Sequence, residues 1–236
     1  VDEVTEQSLA GGRQTQGVVR VGQTVRRSLH ARSDFVHGLL RHLEAVGFDG
    51  APRLLGIDEQ GREALSYLHG EVIVRYPARL SDARLDSAAR LIRRFHDATA
   101  GTALAGDQEV VCHGDLGPPN LVFDGDAAVG IIDWDADVAP GSRLVDLGHA
   151  VWCCADVAEP SVPVAEQARK LRRMCDAYGW ADVGQVVQEI GDRFRRARDQ
   201  HARAGRTRAA AIFEEKVRWM DQQTPALLAP APRPGS

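Results

Sequence analysis

The residues whose types and spacing suit chemistry are Asp115, Asn120 and Asp133, all within the stretch Val110 to Asp135. Two apolar runs, Leu121 to Phe123 and Ala128 to Ile132, flank Asp124-Gly125-Asp126, so they are predicted to pair as an antiparallel hairpin. Asn120 enters the first strand and Asp133 leaves the second, which sets both at the hairpin's open end, on strands about 5 Å apart. Magnesium takes a few carboxylate or amide oxygens and fills its octahedron with phosphates and water, a demand that Asn120 and Asp133 meet. Asp115 precedes Asn120 by five residues, and Gly117-Pro118-Pro119 can bend it back to the same end. It is then placed to accept a hydroxyl proton while the metal offsets charge on a transferring phosphoryl group. The competing reading is a hairpin whose ends carry turn-favouring polar residues.

These residues need a scaffold, and the chain's patterning supplies one. Val18 to Val21 and Gln23 to Arg26 flank Gly22, and Arg53 to Ile57 and Glu63 to Leu68 bracket a turn at Gln60-Gly61, reading as short antiparallel strands. Between them Ser33 caps a predicted helix whose Phe35, Leu39, Leu40, Leu43 and Val46 recur at helical spacing. Past a boundary near residues 66 to 72, helices dominate. Ser81 opens one with the stripe Leu85, Ala88, Ala89, Ile92 and Phe95. Others are predicted over 143–157, 162–178, 181–204 and 206–221, with Thr224 to Ser236 loosely ordered. A β-rich lobe of residues 1–65 followed by a larger helical lobe of 66–236 is an α+β fold, in which ligands bind between the lobes.

Composition narrows the partners. Net charge is −4 and the 29 basic residues are scattered, so no field recruits nucleic acid. Arg193, Arg195, Arg196, Arg198, Arg203, Arg206 and Arg208 read as a solvated helix face. Cys112, Cys153, Cys154 and Cys175 lack metal-site spacing and read as reduced core thiols. No apolar run approaches the roughly 18 residues of a membrane span, and no basic-then-apolar leader opens the sequence, so a soluble cytoplasmic protein without a membrane partner is expected.

His113-Gly114-Asp115-x-x-x-x-Asn120 followed by Ile132-Asp133-Trp134 resembles the catalytic core of the aminoglycoside phosphotransferase and choline kinase family, within the protein-kinase-like superfamily. Leu91 to Asp97 resembles the family's helix before the catalytic strand, and Val145-Asp146-Leu147 its downstream helix start. The resemblance implies a bilobal kinase-like fold with a small antiparallel-sheet lobe and a mainly helical one. It implies ATP or GTP with Mg²⁺ as cofactors, Asp115 as catalytic base and Asn120 and Asp133 as metal ligands. His113 becomes a buried brace and Asp146 a structural residue. Ser66 to Leu68 become the hinge that binds the base, Leu65 guards the pocket behind it, and Gly11-Gly12 form the nucleotide-covering loop. Gly114, standing where protein kinases have arginine, resembles the small-molecule branch. The implied acceptor is a hydroxylated, cationic, aminoglycoside-like molecule met by Trp134, Asp135 and Asp137. Choline, nucleoside and peptide-antibiotic acceptors remain open.

Two features depart from the family. A lysine on the third strand normally contacts the nucleotide phosphates and pairs with a helical glutamate, but the first lysine here is Lys170. Aligning Thr24-Val25-Arg26 with that strand favours Arg26 over its neighbour Arg27, which alternation points to the opposite face. The helical glutamate's place falls on Val36 or His37, and His37 either contacts phosphate or packs. These departures motivate the alternative of a catalytically impaired, kinase-like binding protein.

Overall fold

The β-prone runs ahead of residue 67 pair into a single antiparallel sheet. In the computed structural model, which describes residues 6–9, 17–135 and 137–230, β1 (Glu6–Ser8), β2 (Val19–Val21), β3 (Thr24–Ser28), β4 (Leu54–Ile57) and β5 (Arg62–Ser66) lie in the order β1-β2-β3-β5-β4. Register pairs Arg27 with Glu63 and Arg26 with Ala64 across β3 and β5. Helix α1 (Ser33–Ala45) buries Val36, Leu39, Leu40 and Leu43, as its 3.6-residue spacing requires.

After β5 the chain is clasped to the second half of the molecule. Glu71 and Phe123 exchange two backbone hydrogen bonds of 2.8 Å, and Leu68 lies over Gly130, where any Cβ would meet its Cδ1 at 2.5 Å. Helix α2 (Asp82–Thr99) starts where Ser81 Oγ accepts from the Arg84 backbone N–H, and its predicted stripe from Leu85 to Phe95 is buried. Strand β6 (Val110–Cys112) leads into a single 3₁₀ turn at Pro118–Asn120 and the hairpin β7 (Leu121–Asp124) and β8 (Ala127–Ile131), whose register puts Leu121 opposite Ile131. Strand β9 (Ala139–Gly141) returns beside β6. Four helices follow: α3 (Arg143–Cys154), α4 (Val164–Tyr178), α5 (Val183–Arg203) and α6 (Thr207–Leu228).

Helix α6 corrects one expectation, because it runs on through Thr224 and Pro225 to Leu228 instead of ending near 221. Two things extend it. Leu227 is fully buried, and Arg172 donates to the Leu227 carbonyl at 2.7 Å, occupying an acceptor that the helix end leaves open. One continuous core joins Leu39 and Leu65 on the sheet side to Phe95, Trp134 and Leu147 on the helical side. No helix among the described residues is long and apolar enough to cross a membrane.

Candidate active site

Asn120 ends the 3₁₀ turn, and its backbone carbonyl accepts from Ile132 N at 3.0 Å, which locks the turn to the strand leading to Asp133. Its amide Nδ2 donates to Asp115 twice, to the backbone carbonyl at 2.8 Å and to Oδ2 at 3.0 Å. That choice leaves Asn120 Oδ1 without a hydrogen-bond partner among the described residues, beside Asp115. Asp133 adopts φ 66°, a left-handed backbone that Asp tolerates better than most residues. Burial raises the pKa of Asp115, opposed by the charge of His113 and the Asn120 hydrogen bond. Burial and then the nearby Asp135 raise that of Asp133. Both carboxylates are therefore held in an environment that favours an incoming cation or proton.

The loop bearing Asp115 is gripped from behind by the first turn of α3. Asp146, wholly buried, accepts from His113 N at 2.7 Å and Gly114 N at 2.8 Å, and His96 lies 3.2 Å away. Burial alone would raise its pKa, but the His96 hydrogen bond and the other donors bring it below the usual carboxylate value. His113 reaches Ile132 O at 2.9 Å and packs edge-on against Trp134, tying the loop to the hairpin. Gly114 sits at φ 85°, and a Cβ there would lie 2.7 Å from Asp137 O, so only glycine fits.

On the facing sheet the structure corrects the arginine assignment. Arg26 turns towards Asp58, 3.6 Å away on the far face, whereas Arg27 is buried and points across the cleft, Nη1 lying 3.5 Å from Asp133 Oδ1. The error was one residue of strand register, which exchanges the two faces. Arg27 also donates to Glu63 Oε1 and to the Trp134 carbonyl. Glu63 is fully buried, and its other oxygen lies 2.6 Å from His37 Nε2. The acidic partner thus stands on β5, directly across from Arg27, and His37 on α1 takes the place where the family's glutamate was sought.

A family model described as the phosphotransferase enzyme family matches residues 102–182, the span holding Asp115, Asn120, Asp133 and Asp146. The trifolitoxin immunity protein of Rhizobium leguminosarum bv. trifolii is 35% identical over 192 residues, covering 72% of each chain. The chain belongs to the phosphotransferase enzyme family. Among solved structures, the GDP complex of wild-type aminoglycoside 2'-phosphotransferase-IIIa superposes with a TM-score of 0.62 at 13% identity, over 94% of this chain and 95% of that one. The ADP and streptomycin complex of aminoglycoside phosphotransferase APH(3'')-Id from Streptomyces rimosus gives 0.55 at 17% identity, over 73% and 87%. The α+β kinase-like fold is shared with both.

Within this phosphotransferase-family fold, Leu65, Ser66 and Leu68 line the same cleft as Arg27, Asn120 and Asp133. The Ser66 hydroxyl accepts from the Arg53 backbone at 2.7 Å, which helps hold β5 to the segment before β4. Gly11 and Gly12 lie outside the described residues. Trp134 also lies along this cleft, with its ring fully buried between Phe95 and His113 and its Nε1 donating to Ile131 O at 2.8 Å. Asp135 is half-buried and Asp137 exposed, joined by an Asp137 N–H to Asp135 Oδ1 contact of 3.2 Å.

Sequence reasoning missed Glu63, His149 and Arg193. His149 lies one turn beyond Asp146 on α3, with Nε2 3.5 Å from Asp115 Oδ1. Arg193, assigned to a solvated face, extends from α5 to Gly114 O at 3.2 Å. The i, i+3 spacing of Asp146 and His149, which shares a helix face, was the available signal for His149. Nothing local marked Arg193.

Proposed function

We propose that the chain is a Mg²⁺-dependent O-phosphotransferase that moves the γ-phosphate of ATP or GTP to a hydroxyl of a small, antibiotic-type molecule. The observation that carries this is the convergence of Asp115, Asn120 and Asp133 on one cleft that Arg27 enters from the opposite wall. Residues 1–65 would form the nucleotide-covering lobe and 66–236 the lobe bearing the catalytic loop, the protein acting in the cytoplasm.

The donor set fits magnesium. Asn120 Oδ1 is uncommitted, Asp133 has an oxygen beyond the one nearest Arg27, and two protein oxygens with substrate phosphates are what this ion accepts. When bound, magnesium supplies charge neutralisation on the transferred phosphoryl group. Arg27 would hold phosphate oxygens with donors in a fixed fork, anchored by Glu63. Leu65, Ser66 and Leu68 would receive the base. Asp115 would take the acceptor's hydroxyl proton as the new O–P bond forms, and its raised pKa suits a group that must hold that proton.

For the acceptor, the immunity relative supports an antibiotic-type molecule, and the aminoglycoside neighbours together with Asp135 and Asp137 support a cationic, hydroxylated one. The catalytically impaired reading weakens, because Arg27 and Glu63 replace the missing lysine and glutamate with a pair of the same charges. Incubation with ATP or GTP, Mg²⁺ and a panel of hydroxylated antibiotics is expected to give phosphorylated product that Asp115→Ala does not make. Absence of nucleotide binding, or turnover indifferent to that substitution, would defeat the proposal.

A further inference from the structure

The proton positions around Asp115 are over-determined by three neighbours. His149 Nδ1 lies 2.9 Å from Gly114 O and 2.9 Å from Arg193 Nη2, while its Nε2 faces Asp115 Oδ1 at 3.5 Å. Arg193 Nη2 also lies 3.2 Å from Gly114 O. A guanidinium only donates and does not give up its proton. A proton on Nδ1 would donate to Gly114 O, but at the cost of two conflicts, with the Arg193 N–H 2.9 Å away and with a bare Nε2 lone pair turned against the Asp115 carboxylate. A proton on Nε2 leaves one poor contact, bare Nδ1 lying 2.9 Å from Gly114 O, which Arg193 bridges by donating to both acceptors, and it aims Nε2–H at Asp115. Protonation of both nitrogens is opposed by burial and by the Arg193 charge, which bring the His149 pKa down to about 3. The ring is held in plane by stacking on Trp152, 5.3 Å between centroids and 24° between planes.

We infer that His149, locked by Arg193 as its Nε2–H tautomer, is a positioning residue that orients the Asp115 carboxylate for proton acceptance. The inference rests on the phosphotransferase reading for its catalytic consequence, but the tautomer lock is a property of the fold. Asn120 Nδ2 donates to Asp115 Oδ2 at 3.0 Å and His149 Nε2 faces Oδ1 at 3.5 Å, so each carboxylate oxygen has an N–H turned toward it. Each oxygen keeps a second lone pair, and one of these receives the acceptor's hydroxyl proton as the acceptor oxygen bonds the γ-phosphorus and that phosphorus breaks from the bridging oxygen of the departing nucleoside diphosphate, while His149 retains its own proton. The 3.5 Å separation is long for a hydrogen bond and of the kind that shortens when substrate closes the site. The arrangement resembles a general triad logic in which a base is oriented by a third group.

Two readouts test it. The ¹⁵N chemical shifts of the His149 imidazole should report a protonated Nε2 and a bare Nδ1 in the full-length protein, and Arg193→Met should release the ring to donate from Nδ1 to Gly114 O. In phosphotransfer assays His149→Ala and Arg193→Met should each lower kcat at least about tenfold while leaving the nucleotide KM unchanged. The double variant should be no slower than either single, since the two act as one unit. His149→Gln, which keeps an N–H near the Nε2 position, should restore most of the rate. Arg195→Met, on the same helix but paired with Asp192 and Asp221, should change nothing. An Nδ1-protonated ring in the unaltered protein would overturn the lock. Equal losses in the Ala and Gln variants, tracking their melting temperatures, would overturn the orienting role. An inactive wild-type protein would overturn the phosphotransferase reading and the role in proton acceptance with it, leaving the shifts to decide the tautomer separately.

Discussion

Asp133 carries two demands at once, the metal ligation proposed for its carboxylate and a left-handed backbone at φ 66°. Asn satisfies the backbone as well as Asp does, whereas Ala pays a steric penalty of about 1 kcal/mol there. Asp133→Asn and Asp133→Ala should therefore both abolish phosphotransfer, but only the Ala variant should lose stability, by about 1 kcal/mol in urea titrations without nucleotide. Equal stabilities would mean that the turn does not select the residue. Loss of charge at Asp133 carries little stability loss of its own, because burial already raises its pKa and disfavours the ionised form. The sign matters for pH. A raised carboxylate contributes stability below its unfolded pKa, lost as pH rises through the folded value. Asp146 does the opposite: with its folded pKa lowered, its contribution is complete above the unfolded value near 3.9 and disappears as pH falls through the folded one. Denaturation curves between about pH 5 and pH 2 should show the wild type losing stability more steeply than Asp146→Asn, and parallel slopes would contradict the buried Asp146 network.

At the scale of elements, β3 decides the nucleotide side through a one-residue alternation. Arg27→Ala removes a cleft cation and leaves Glu63 buried with only His37, so it should cost roughly 3–5 kcal/mol of stability and abolish nucleotide use. Arg26→Ala removes a peripheral pair with Asp58 and should cost under about 1 kcal/mol, with nucleotide affinity unchanged. Thermal melts and nucleotide titrations of the two variants separate these outcomes, and equal effects would place the register wrongly. The same strand shows what the sequence made legible and what it did not. His113 to Asn120 and the hairpin to Asp133 were readable because their partners lie within about twenty residues and a two-strand geometry fixes them. The Arg27–Glu63 pair spans 36 residues, and choosing between adjacent arginines needed a register that no local signal supplied. His149 and Arg193 reach the catalytic loop from 35 and 79 residues away, on helices whose polar faces look like ordinary solvated surface until α3 and α5 pack. For Trp134 the reverse holds, since adjacency along the chain to Asp133 said nothing of the burial of its ring between Phe95 and His113.

Across the whole molecule, the cleft joins β3 and β5 of the sheet to the catalytic loop and the hairpin's open end, so a nucleotide there touches both halves. The halves already share one core through Leu65, Phe95 and Trp134, and a ligand that binds only this folded arrangement should raise a single unfolding transition instead of splitting it. At a hundredfold excess over its Kd a ligand adds about 2.7 kcal/mol, which for a chain of this length is a rise of roughly 5–10 °C. If Asn120 Oδ1 and Asp133 hold a cation against the nucleotide phosphates as proposed, ATP or GTP with Mg²⁺ should produce most of that rise, and the same nucleotide with a chelator much less. Arg27→Ala should remove the nucleotide-dependent rise with or without metal, while Asp133→Asn should remove only the metal-dependent share. A shift that ignores the chelator would show that nucleotide is held by the sheet alone, with Asn120 and Asp133 serving the turn and not a metal.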